Sequence, residues 1–180
     1  MEGGRVNEIE LSELSPEVLA KVIRMYSQNL LTVDGLWFRT LEDRLGLETA
    51  LEYDTEVWRR YGTIEARRIR RVLDITEDGV PALAKALNFQ IWTPAMGYEI
   101  LVVDDRKVIF NITDCTVQRS RLRQGIGEFP CKGVGVALFT EFSKGIDQRF
   151  RTKCLVCPPD EHPQDLWCGW EWECVAEGEY

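Results

Sequence analysis

The chain has 180 residues, 44% of them hydrophobic, and carries a formal net charge of -8 with a sequence pI near 4.8. That length supports one domain with its own core and needs no staples. The acidic balance argues against nucleic acid and anionic membranes as general partners, and no apolar run approaches the roughly 18 residues that span a bilayer.

The start, MEGGRVNEIELSE, is polar and acidic and lacks the apolar segment of a secretion signal. This predicts a cytoplasmic protein, where thiols stay reduced and six cysteines favour metal or thiol chemistry over disulfides. Ser15-Pro16 then supplies an N-cap and a first-turn proline. From there Leu19, Ile23, Tyr26, Leu30, Val33, Trp37, Leu41 and Leu45 recur at steps of three and four. The stripe runs through Asp34-Gly35 and predicts one long helix ending at Gly46.

A second helix is predicted over roughly 47–73, with Leu51, Val57, Trp58, Tyr61, Ile64 and Val72 as its apolar members and a supporting Glu56/Arg60 pair. The arginines of EARRIRRVL (65–73) fan over a solvated face at helical spacing, so the run is not read as a nucleic-acid site. A shorter third helix is predicted from Thr76 to near Asn88.

The second half changes character. YEILVV and KVIFNIT flank the turn Asp104-Asp105-Arg106-Lys107, a hairpin signal. The polar run that follows contains Asp114, Cys115, Gln118, Arg119, Arg121 and Arg123. It reads either as a nucleophile beside an acid, with arginines such as Arg121 to hold a carboxylate, or as a strand-ending turn with solvated arginines. The second reading is preferred, because no second histidine exists to act as a general base.

A helix is predicted from Pro130 to Gly145, with Cys131, Val134, Leu138 and Phe142 on one face. A strand near 149–155 would deliver Cys154, and WCGWEWECV alternates as a last strand with Cys168, Trp170, Trp172 and Cys174 on one side. The prediction is an α+β fold in one domain, residues 1–180. Its helical half covers 1–90, and an antiparallel sheet with a packed helix and a cysteine metal site covers 91–176.

Cys154 and Cys157 form a C-x-x-C closed by Pro158-Pro159, a spacing that sets two thiolates on one tetrahedral ion. Cys168 is near enough to be a third ligand, and the fourth could be Cys131, His162, Cys174 or Cys115. With His162 the pattern lies close to a zinc knuckle, but the loop PPDEHPQD is acidic, where a knuckle is basic. Cys131 is preferred because it would bring a thiolate from a helix N-terminus and tie that helix to the sheet. Zinc is the default ion. The aromatics Trp37, Trp92, Tyr98 and Phe110 are candidates to line an apolar pocket between helices and sheet.

Cys131, then Cys154 after 23 positions, Cys157 after three and Cys168 after eleven give a spacing that resembles the vinyl-reductase or hydrocarbon-binding sensor domain. The resemblance covers roughly 95–175 and implies a structural zinc, a homodimer and a hydrophobic small molecule held between helices and sheet. The D-C-x-x-Q, F-P-C, C-x-x-C-P-P-D-x-H-P and C-x-W-E elements also resemble uncharacterised prokaryotic cytosolic proteins. A more distant similarity, to aminothiazoline-carboxylate hydrolases, implies instead an enzyme acting on a small carboxylate through the Asp114–Cys115 region.

Overall fold

The computed structural model describes residues 10–176. Most of the polar start read above as lacking a secretion signal lies outside them. Helix α1 (Pro16–Leu45) begins where Ser15 Oγ accepts from Val18 N and ends at Gly46, whose φ of 85° suits glycine. Helix α2 (Leu47–Val72) follows at once, and α3 (Gly79–Leu87) is three residues shorter at its start than the sequence suggested. The delay has a visible cause: Gly79 adopts φ 71° and donates its N–H to Asp147 Oδ2, so the chain turns before it coils.

The hairpin β1 (Gly97–Val102) and β2 (Lys107–Asp114) leads into α4 (Thr116–Arg123), α5 (Lys132–Ile146), β3 (Phe150–Val156) and β4 (Cys168–Cys174). The four strands form one antiparallel sheet in the order β1-β2-β4-β3. The architecture is α+β, with the N-terminal helices preceding the sheet. Among the described residues no helix is long and apolar enough to cross a membrane.

Register places Phe110 beside Trp170, Val108 beside Trp172 and Phe150 beside Cys174, building one apolar face. Helix α5 lies on that face with Val134, Leu138 and Phe142 buried, and Phe139 packs on Trp170 with ring centroids 4.7 Å apart. Helix α2 packs in turn on α5 through small residues. A Cβ on Gly62 would lie 2.6 Å from the Leu138 carbonyl oxygen, and one on Gly145 would lie 2.7 Å from Ala66 Cβ. Glycine at these positions lets the two helices approach closely.

The faces that α1 and α2 bury differ from the stripes picked out by periodicity. Ile23, Tyr26, Val33, Trp37 and Leu45 are all more than half exposed, as is Val57 on α2. On α1 the inward side is instead Ser27, Leu31, Asp34 and Phe38, and on α2 it is Ala50, Gly62, Glu65, Ala66 and Ile69. Periodicity finds the most apolar stripe of a helix. Close approach selects small side chains, and α2 buries Ala50, Gly62 and Ala66 on its inner side.

The arginine run also divides. Arg70 is held by the carbonyls of Ile75, Glu77 and Ile146 and by Asp78, while Arg67, Arg68 and Arg71 stay exposed. The anticipated Glu56/Arg60 pair is present at 2.6 Å.

Candidate functional site

The cysteine corner forms where α5 begins. Cys131 is the residue before α5, and its carbonyl accepts from Gly135 N at 2.8 Å. Its Sγ lies 3.5 Å from Cys157 Sγ. Two sulfurs bound at ~2.3 Å to one tetrahedral ion stand about 3.8 Å apart, so this pair has ligand-like spacing. Cys157 is buried, its thiol held up by hydrogen bonds to Cys131 and then Cys168, while the same contact with Cys157 lowers Cys131. Cys154 is paired with Trp170 across the sheet and shares its helix-facing side, and Cys168 begins β4.

The loop is tied back to the helix by Lys132 N donating to Pro158 O at 3.0 Å and by Lys132 Nζ on Asp160 at 2.6 Å. The Pro158–Pro159 bond in that loop is cis. As the side chains stand, no group of three or more His, Cys, Asp or Glu among the described residues has metal-holding geometry.

Of the alternative fourth ligands, Cys115 borders the corner, where the Cys131 and Cys168 thiols act on it, while Cys174 lies away from it. His162 stacks on Trp167 and approaches Glu128 Oε1 at 3.5 Å, with its Nδ1 2.9 Å from Pro163 O. Cys174 closes the far end of β4, where Asp147, Arg149 and Arg106 are its charged neighbours. Cys115 caps α4, and burial pushes its thiol up to about 12. Asp114 beside it pairs with Arg119 at 3.0 Å with both side chains about half exposed.

The polar run 114–123 spans the last residue of β2, the N-cap residue Cys115 and helix α4, which turns two of its polar side chains inward. Gln118 is buried and clamps the backbone of Phe129, accepting from its N–H at 2.7 Å and donating to its carbonyl at 2.8 Å, while its Nε2 touches Cys131 Sγ at 3.5 Å. Arg121 is 7% exposed, lies between the Phe38 and Phe129 rings, and forks onto Glu42 at 3.0 and 3.3 Å. Glu42 is held below its usual range by that contact first, and Arg39 joins it at 2.7 Å. Sequence reasoning missed this burial because an arginine-rich octamer has almost no apolar periodicity. The available signal was Glu42, an acid awaiting a partner on the inner half of α1.

Between α1, α2 and α4 lies a cavity of about 420 Å³. Its apolar walls are Leu31, Leu36, Val117 and the rings of Phe38 and Phe129. Its polar lining includes Asp34, Asp54, Arg39, Arg121 and Ser120. Burial pushes the Asp34 carboxyl up to about 6. Asp54 rises to about 7 through burial and then through the neighbouring Asp34 charge, and the Trp58 indole N–H draws both acids back down.

The pocket anticipated between helices and sheet is not where the hollow lies, and its four proposed liners stand outside it. Trp92 and Phe110 are packed solid in the core at a 5.8 Å ring separation, and Tyr98 leans on Phe110 with its hydroxyl on Asn88. Trp37 is 67% exposed. Large aromatics pack the sheet side, and the hollow of about 420 Å³ lies instead where α1 carries Asp34-Gly35 in place of bulk.

No curated protein and no solved structure matches the chain. The sequence model of the family described as "Family of unknown function (DUF6125)" matches residues 12–174, and the chain belongs to that family.

Proposed function

We propose that the protein is a small-molecule-binding module acting in the cytoplasm, with a structural zinc at its cysteine corner. The observation that carries this reading is the cavity of about 420 Å³, apolar-walled with a few convergent ionisable groups, which is the usual composition of a ligand site. Benzyl alcohol, a neutral apolar probe, is expected to shift amide resonances of residues lining the cavity, and Gly35→Leu should remove those shifts. Shifts confined to other surfaces would refute the assignment.

Zinc is supported by the 3.5 Å separation of Cys131 and Cys157 and by the nearness of Cys168, which acts with Cys131 to push the Cys157 thiol up. Cys131, Cys154, Cys157 and Cys168 would hold it, and the ion would supply cross-linking of α5 to the β3–β4 end of the sheet. Elemental analysis should find about one zinc per chain, lost in Cys157→Ser with a fall in melting temperature. Full stability in Cys157→Ser and no metal in the wild type would remove the ion from the reading.

A homodimer is supported by the uncovered apolar side of α1, where Ile23, Tyr26, Val33 and Trp37 face outward. The alternative, a hydrolase acting on a small carboxylate through Asp114 and Cys115, is weakened by the partly buried, protonated thiol and by the outward Asp114–Arg119 pair.

A further inference from the structure

The chemistry of the cavity narrows the class of molecule it takes. Asp34 and Asp54 both line it, and no ion pair reaches either of them among the described residues. The cations that share the lining are already committed: Arg39 to Glu42 and Asp43, at 2.7 and 2.9 Å, and Arg121 to Glu42 at 3.0 Å. Two carboxyls are thus gathered in a hollow without a positive partner, an arrangement that burial alone disfavours.

One further observation points to an occupant. Gly35 lines the hollow in mid-helix, and a Cβ built there would meet nothing within 4 Å. No neighbouring group needs glycine at that position, so the missing side chain serves the open space over the acids.

We infer that the cavity binds a small organic amine with an apolar body, the ammonium seated at Asp34 and Asp54. This rests on the cavity being the ligand site. The ammonium supplies the positive charge the two acids lack, in charge-assisted hydrogen bonds. The apolar body meets Leu31, Val117, Phe38 and Phe129. With the ammonium bound, both carboxyls ionise, reversing the upward displacement that burial gives them in the free protein.

The test is calorimetric titration of the full chain near pH 7.5 with phenylethanolamine and with phenyl glycol, its uncharged counterpart in which a hydroxyl replaces the amine. The expected result is at least a tenfold preference for the amine, lost in Asp34→Asn and Asp54→Asn, with Gly35→Leu weakening both compounds. Equal binding of the two compounds in the wild type would overturn the amine assignment and leave the cavity as a neutral-ligand site. Amine binding undiminished in both aspartate variants, or binding of both compounds unaffected by Gly35→Leu, would also overturn it. If neither compound binds, the amine class and the cavity reading fall together. Thermal melts of each variant establish that it is folded.

Discussion

Replacing Asp54 with asparagine should stabilise the protein by an amount that grows as the pH rises above about 4 and levels off above about 7. The carboxyl rises from its ordinary value of 3.8 to about 7 in the fold, mainly through burial. The folded state therefore holds this proton more tightly than the unfolded state does. Protonation favours folding, so the contribution of Asp54 to stability is fullest below about pH 4. It declines as the pH rises between about 4 and 7, and stays low above that window. A difference of about 3 units at 1.36 kcal/mol each sets a ceiling of about 4 kcal/mol near pH 8.

Part of that ceiling belongs jointly to Asp34, whose charge contributes to the shift, and the new amide must find partners for its own N–H groups. The expected net gain for Asp54→Asn is therefore roughly 1–2 kcal/mol near pH 8, a rise of about 3–6 °C in melting temperature for a chain of this size. Near pH 4 wild type and variant should melt together. The assay is urea unfolding of both proteins across that range. Comparing the two at each pH cancels the titration of other groups, including Glu42 and Asp147, which are lowered in the fold. A variant less stable near pH 8, or a gain that does not vary with pH, would refute a buried, uncompensated carboxyl at this position.

Gly62→Ala and Gly35→Ala make an opposed pair: the first brings a methyl to 2.6 Å from the Leu138 carbonyl oxygen, the second adds one in open space. Chemical denaturation should show a loss of roughly 1–3 kcal/mol at Gly62 and a gain of up to about 1 kcal/mol at Gly35, and a stable Gly62→Ala would contradict the close α2–α5 contact. Arg121→Met removes the main partner of Glu42, whose side chain is 15% exposed, and should lower stability by about 1–3 kcal/mol at pH 7. Since Glu42 is held low by Arg121, the difference should shrink as the pH falls through the ordinary glutamate range, and a loss that persists unchanged in acid would assign it to packing against Phe38 and Phe129. Trp37→Glu places a charge at a 67% exposed position; light scattering should show a halved mass if a second copy covers α1, and an unchanged dimer would move that interface elsewhere.

Local signals in the chain determined the element order closely. Ser15-Pro16 and Gly46 bound α1, alternation sets β4, and the Asp104–Lys107 region turns the hairpin, because caps, turn residues and strand periods act over only a few neighbours. The nearness of Cys131 to the C-x-x-C was also legible, since a helix start and a strand end on one sheet face meet at that spacing.

What only the tertiary structure decided is which side of each helix is inside. Periodicity ranked Ile23, Tyr26, Val33 and Trp37 as the inner stripe of α1, yet the fold buries Ser27, Asp34 and Phe38. The reason is spatial: α2 seats its Gly62 and Ala66 against α5, and that close contact fixes how the α1–α2 pair is turned. Arg121 joined Glu42 by the same logic, across 79 residues that no local pattern connects. Together these placements leave two acids and a glycine around a hollow that an apolar-stripe reading would have filled.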